Sequence, residues 1–283
     1  FDAVCDIADE FGLRVTGSEI VGLVPLAVMT EAGRYFLAKQ GSNRGVTDEE
    51  LVETAIQSLG LRDVGSFEPK QKIIEWRIRR TDRLVDMSCS GFVNELSLDS
   101  PAPGGGSVAA LVGSLSAGLS SMVAALSFGK KGFEGVKTEM EEIGIEAQGL
   151  KNFFITAVDA DTDAFNSLME TFKLPKKSDE EKRNRAAAVE RATQEAVRVP
   201  LSVLEKSPAA ADLALRVARK GNQNSLSDAG VAGLSARLCA TGAYYNVMIN
   251  LSTITDQDFI LDSKVRAEKA YNDTIRLCAE LEA

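Results

Sequence analysis

Histidine is absent from these 283 residues. That absence removes His-based triads, histidine general bases, histidine-ligated zinc and phosphohistidine chemistry together. Proton transfer is left to Asp, Glu, Lys, Tyr or Cys. Cysteine is scarce: Cys5, Cys89, Cys239 and Cys278 stand far apart with no C-x-x-C pair. This excludes a zinc knuckle or a redox dithiol and fits buried thiols in a reducing compartment. The 7 prolines and 23 glycines are too few for a collagen-like or low-complexity chain. Basic charge falls short of acidic: 32 Lys and Arg against 41 Asp and Glu give a net charge of −9, a poor match to nucleic acid or an anionic membrane. No basic, apolar leader opens the chain; it begins FDAVCDIADEFG, at Phe rather than Met, as expected of a fragment or a processed chain. What is present, 45% hydrophobic and 26% charged residues, is ordinary for a soluble protein with a real core, and the length suggests about two domains.

Residues 1–60 read as α/β. A short helix from Asp2 to Phe11 closes at Gly12. Leu13–Pro25 is apolar and β-branched, an extended run with a bend. Leu26–Gln40 returns to helical spacing, and Thr47 with Glu50 forms a capping box for a helix over Asp48–Leu59. One convincing strand cannot make a sheet, so this piece reads as part of a larger unit. Ile73–Ile78 is a second candidate extended piece, and Arg77–Asp82 a solvated charge run. From Ser88 onward the pattern is helical. The spacing predicts helices over Ser90–Leu96, Val108–Phe128, Val136–Phe172, from the Ser178–Glu181 capping box to Val199, from Ser207-Pro208 to Lys220, from Asp228 to Leu251, and over Asp256–Leu281. Val108–Phe128 carries no charge, which raises a membrane span. Its Ser, Gly and Ala content and the lack of an aromatic belt favour a buried bundle helix instead. Its stripe of Gly113, Ala117, Ser121 and Ala125 suits close approach of another helix, in the bundle core or at a dimer seam.

Three aspartates, Asp159, Asp161 and Asp163, lie on one expected helix. At ~100° per residue, Phe154, Ala157, Phe165 and Leu168 fall on the side of Asp161, while Asp159 and Asp163 fall opposite with Asn152, Asn166 and Glu170. Two carboxylates therefore face water and one sits in an apolar stripe. Burial raises a carboxyl pKa and suits a general acid or base near neutrality; a purely structural pairing with a cation is the other reading. A second constellation is Pro101-Ala102-Pro103 followed by Gly104, Gly105, Gly106 and Ser107. Glycines at a helix start let backbone amides approach an anion, or simply form an entry turn capped by Ser107. Lys130 and Lys131 at the far end of that helix, the polar loop with Asn224 and Asp228, and Tyr245 with Asn246 are further ligand candidates. Asn246 and Asn250, spaced i, i+4, contact a ligand or satisfy each other.

At these motifs the chain resembles the formiminotransferase-cyclodeaminase family. The resemblance rests on Pro103-Gly-Gly-Gly-Ser-Val-Ala-Ala, Phe128-Gly-Lys-Lys-Gly-Phe, Val158-Asp-Ala-Asp, Gly221-Asn with Ser227-Asp228, Gly242-Ala-Tyr-Tyr-Asn-Val-Met-Ile-Asn-Leu and, earlier, Gly17-Ser-Glu-Ile-Val-Gly-Leu-Val-Pro. It implies a mainly α fold: residues 1–75 as the C-terminal remnant of an α/β formiminotransferase domain, 76–87 as linker, and 88–283 as a multihelical cyclodeaminase bundle. The implied reaction converts 5-formimino-tetrahydrofolate to 5,10-methenyl-tetrahydrofolate and ammonia, within histidine degradation and one-carbon metabolism. Asp161 takes the catalytic place. Gly104, Gly105, Gly106, Ser107, Lys130, Lys131, Asn224, Asp228, Tyr245 and Asn246 are candidates for the folate, a polyglutamate substrate. No metal and no permanently bound cofactor are implied. The implied partners are a second copy or higher homo-oligomer and the family's formiminotransferase domain, with no nucleic acid and no transmembrane segment, in the cytosol, with Golgi or cytoskeletal association in a eukaryote. That family's transferase needs a histidine, so transferase activity is not expected of this chain. A methenyltetrahydrofolate cyclohydrolase and a non-catalytic helical interaction module are the alternatives.

Overall fold

Capping, glycine placement and apolar spacing set the elements seen in the computed structural model, which describes residues 1–283. The chain divides into two units, Phe1–Thr81 and Asp82–Ala283, so the boundary falls inside the stretch 76–87.

The first unit holds α1 (Asp2–Glu10), α2 (Leu26–Lys39) and α3 (Asp48–Ser58), then two helical turns, α4 (Pro69–Lys72) and α5 (Ile74–Arg77). Thr47 Oγ1 accepts from Glu50 N at 3.2 Å and starts α3. Gly33 lets α2 meet α3 closely: a Cβ there would lie 2.1 Å from Leu51 O. Met29, Val52, Ile56 and Ile73 form the core of this unit. The extended run contributes one isolated parallel bridge, Val24 to Ile73. The expected extended piece Ile73–Ile78 is corrected to Ile73 alone. With no strand to pair against beyond that bridge, the backbone closes its own turn, Arg77 N donating to Ile73 O at 2.9 Å.

The second unit is a helical array: α6 (Cys89–Leu96), α7 (Gly105–Phe128), α8 (Lys137–Phe172), α9 (Asp179–Lys220), α10 (Leu226–Leu251) and α11 (Gln257–Glu282). α7 is long and apolar enough to cross a membrane by composition, yet it packs against α8, α9 and α10 and most of its residues are buried among them. Its small residues are what permit this. A Cβ on Gly113 would sit 2.8 Å from Cys239 Sγ and 2.9 Å from the Phe154 ring. Gly113, Ala117 and Ser121 are therefore core positions of this chain and only Ala125 is exposed, so the small-residue stripe is not available as a dimer seam.

The expected break between Val199 and Ser207 is also corrected: α9 is one helix of 42 residues with Pro200 and Pro208 inside it. Each proline denies an N–H to the carbonyl four residues back. Both carbonyls find another donor. Ala196 O accepts from Asn250 Nδ2 at 2.8 Å, and Leu204 O accepts from Ser207 Oγ at 2.6 Å.

Candidate active site

α8 carries Asp161 to the N-terminal end of α7, and Gly106 lets it arrive. A Cβ on Gly106 would lie 2.1 Å from Asp161 Oδ1, so no other residue fits without moving the carboxyl group. Ser107, fully buried, donates its hydroxyl toward Asp161 Oδ2 at 3.1 Å. The Ser107 Oγ also lies 3.0 Å from Val158 O and 3.2 Å from Thr162 Oγ1. That set of neighbours suits both protonation states of Asp161. A carboxylate takes the Ser107 proton; a carboxylic acid donates to Ser107 Oγ, which then turns its own proton to Val158 O. Burial holds the Asp161 carboxyl above its ordinary pKa, and the Ser107 hydroxyl and amide pull it partly back.

Asp161 opens on a cleft lined by Pro101, Ala102, Gly104, Gly105, Gly106, Phe165, Ala196, Asn246 and Asn250. It is the one ionisable residue among them. The site therefore has a poised carboxyl group, a phenyl wall and two amides, with no neighbouring charge to fix the carboxyl in one state.

The sequence candidates separate into two groups. Gly104, Gly105, Gly106, Asp161 and Asn246 come together at the cleft, and Ser107 stands behind it, its side chain on Asp161 rather than on the cavity. Lys130, Lys131, Asn224 and Asp228 lie at the opposite end of α7, about 36 Å away at 1.5 Å per residue. There Lys130 Nζ donates to Asn222 Oδ1 and sits over the Phe133 ring. Tyr245 is 67% exposed on the outer face of α10 and does not line the cleft. The expectation that Asp159 faces water is corrected. Its side chain is only 15% exposed, accepts from Leu84 N at 2.7 Å, and lies 3.6 Å from Arg83 Nε. A helical wheel contains one helix only; the turn Leu84–Asp86 folds back over that face. Asp163 is exposed as expected. Asn250, offered by its i, i+4 spacing as a ligand contact, lines the cleft, and Ala196 was missed as a lining residue. Asn246 and Asn250 do not satisfy each other: Asn246 Nδ2 donates to Gly242 O and Asn250 Nδ2 to Ala196 O, both at 2.8 Å. The signal that could have found Ala196 is Pro200, which leaves Ala196 O in need of a donor and so draws Asn250 to it.

Comparison with known proteins gives this geometry its context. Residues 88–269 match the family model described as formiminotransferase-cyclodeaminase, and residues 1–79 match the formiminotransferase domain. Formimidoyltransferase-cyclodeaminase of Mus musculus is 36% identical over 255 residues, 89% of this chain and 47% of its own length. The protein of the same name from Dictyostelium discoideum is 37% identical over 92% of this chain and 48% of its own. The chain thus spans about half the length of these relatives. A methenyltetrahydrofolate cyclohydrolase of Methylorubrum extorquens is 39% identical over 59% of this chain and 81% of its own. A crystal structure of formiminotetrahydrofolate cyclodeaminase from Thermotoga maritima superposes with a TM-score of 0.63 at 27% identity, covering 70% of this chain and 94% of that one.

Proposed function

The chain belongs to the formiminotransferase-cyclodeaminase family, and on that footing we propose that it is a folate enzyme, a formiminotetrahydrofolate cyclodeaminase with Asp161 as its proton carrier. The observation that carries this reading is the Asp161 carboxyl group, half-buried against Gly106 and Ser107 and opening on an otherwise uncharged cleft. The substrate has a formimino group, N5–CH=NH₂⁺, beside the N10–H of the same folate. N10 attacks the formimino carbon, forming the C–N10 bond. The N10 proton passes to the Asp161 carboxylate, which returns it to the departing nitrogen. The C–N bond to that nitrogen breaks, ammonia leaves, and the 5,10-methenyl cation remains. Charge and atoms balance with no co-reactant. One carboxyl group must take and give the same proton, so a pKa raised toward neutrality and a hydrogen-bond partner that serves both states are the properties it needs.

The cyclohydrolase reading differs in substrate: a methenyl bridge presents no N–H at the reacting carbon. Ammonia release from 5-formimino-tetrahydrofolate by the purified chain tests the proposal, and hydrolysis of 5,10-methenyl-tetrahydrofolate without ammonia release would replace it. Formimino transfer is not part of the proposal, since the chain has no histidine to support a histidine-dependent transferase.

The proposal includes a homo-oligomer, supported by a face of α7 other than the small-residue stripe. Leu115, Met122 and Leu126 are exposed there. With partly buried Leu111 they pair as Leu111 with Leu126 and Leu115 with Met122 about Gly118–Leu119. A twofold contact needs such a self-complementary patch. Light scattering at micromolar concentration should find at least a dimer; a stable monomer would end this part.

A further inference from the structure

We propose that Asn250 is a specificity-determining residue, held by the carbonyl that Pro200 leaves open so that its amide oxygen accepts an N–H from the reacting group of the substrate. The inference rests on the reading of the cleft as a cyclodeaminase site and goes beyond it in naming what separates a formimino ligand from a ligand without N–H donors.

Pro200 cannot donate to Ala196 O, the carbonyl four residues earlier in α9. That carbonyl faces α10, where Asn250 Nδ2 donates to it at 2.8 Å. Ala196 and Asn250 both line the cleft beside Asp161. The amide is thereby fixed with its nitrogen toward α9, and Oδ1 is the atom left for the cleft. One turn away on the same wall, Asn246 Nδ2 donates to Gly242 O at 2.8 Å and leaves its Oδ1 in the same condition. The polar side-chain atoms offered to a ligand then include three groups of acceptors, the two amide oxygens and the Asp161 carboxylate, beside the second N–H of each amide.

Pro208 shows that this arrangement is not required merely to accommodate a proline. There the freed carbonyl, Leu204 O, is taken by the neighbouring Ser207 within the same helix, in the buried core. At Pro200 the donor comes from another helix, and that donor is a wall of the cavity. A ligand that fits an acceptor-lined wall presents N–H donors, as an amidinium does. A formyl group of the same shape presents an oxygen instead and leaves the acceptors unpaired.

The test compares 5-formimino-tetrahydrofolate as substrate with 5-formyl-tetrahydrofolate as its competitor. Asn250→Ala should raise KM for the formimino compound about tenfold, the worth of one hydrogen bond. The inhibition constant of the formyl compound should stay within about twofold. Pro200→Ala restores a backbone donor to Ala196 O and so competes with Asn250 for it. It should raise the same KM about threefold, without the formyl effect, and without weakening the fold. This second variant carries the test if Asn250→Ala unfolds, since it adds a hydrogen bond to the helix rather than removing one. Equal loss for both ligands, or no change in either, would overturn the role of Asn250. An unchanged KM in Pro200→Ala would overturn the positioning by Pro200. If the unmodified chain releases no ammonia, the cyclodeaminase reading fails by itself, and calorimetric dissociation constants for the two folates in the same variants still decide the inference.

Discussion

At its N-terminal end α7 meets the carboxylate of Asp161; at its C-terminal end it runs into the ammonium of Lys130. Each end depends on a glycine with no room for a Cβ. At Gly106 the obstacle is Asp161 itself, 2.1 Å away, and at Gly221 it is Val217 O, 2.5 Å away, with Val123 and Ser127 just beyond. Each end also holds a buried serine at the contact. Ser127 Oγ donates to Val123 O and accepts from Asn222 N, and Asn222 Oδ1 takes Lys130. That network closes on itself. At the other end Ser107 closes on Asp161, but Asp161 opens on a cleft. Close-approach glycines beside polar residues thus mark both a lock and a site. The difference lies in whether a polar group still faces a cavity once its protein partners are counted.

The largest effect should come from Asp161→Asn, which keeps the shape and removes the titrating proton. Ammonia release should fall by a factor of roughly 10²–10⁴. Stability should move the opposite way. A carboxyl whose pKa is raised by folding binds its proton more tightly in the native state. Its contribution is therefore best when protonated, below the ordinary carboxyl value, and declines as pH rises through the raised value. The Asn variant lacks this loss. Denaturant titrations should show it gaining on the parent as pH rises above the ordinary carboxyl value of about 4. A gap that does not change with pH would mean that Asp161 is not desolvated.

Next in size is the pair Gly106→Ala and Gly221→Ala. The first displaces a reacting group, and a displacement near 1 Å can cost about 10² in rate. The second forces backbone apart in a packed core, at about 1–3 kcal/mol of stability, with kcat of the folded protein near that of the parent. Thermal melts and turnover measured together check both. If Gly221→Ala costs rate rather than stability, the contrast between the two ends is false.

How much of this was legible in the sequence follows the same division. Asp161 was isolated by period alone, because its apolar neighbours lie on its own helix. Asp159 was misplaced because its cover, Arg83 and the turn after it, lies on another segment. Pro200 and Pro208 read as helix ends because a local rule sees the lost N–H and not the donor that replaces it, Asn250 or Ser207. Lys130, Lys131, Asn224 and Asp228 were grouped with the glycine loop on residue type. The sequence already puts Lys130 and Lys131 at the far end of α7; that Asn224 lies beside them follows from Asn222, whose Oδ1 accepts from both Lys130 and Asn224 N. In the first unit the extended run was visible, but the lack of a partner strand left one bridge, Val24 to Ile73.

Lys130→Met tests the lysine end directly, keeping the aliphatic stem and removing the charge. Loss of the bond to Asn222 should cost about 1 kcal/mol of stability, with KM for the folate within about threefold. A tenfold rise in KM at constant kcat would instead make that end part of the substrate site, reached from a second copy of the chain.

The smallest effect on rate should come from Asp159, two residues from Asp161 and of identical chemistry. Asp159 holds the turn Leu84–Asp86 against α8, through Leu84 N and the Arg83 guanidinium, and its Oδ2 and Arg83 Nε are buried at ion-pair distance without a hydrogen bond. Asp159→Asn keeps an oxygen for Leu84 N but removes the charge that faces Arg83. Because Arg83 Nε keeps the Asp86 carboxylate at 3.6 Å, the cost should be about 1 kcal/mol, and ammonia release should stay within about threefold of the parent. The turn should open more often. Cleavage by trypsin after Arg83 should then quicken in proportion to the lost stability, close to fivefold for about 1 kcal/mol. Asp163→Asn, on the exposed face, should change stability by no more than about 0.5 kcal/mol and leave that cleavage unchanged. If Asp159→Asn lowers the rate as far as Asp161→Asn does, the carboxylates act together, and burial beside Gly106 is not what selects Asp161.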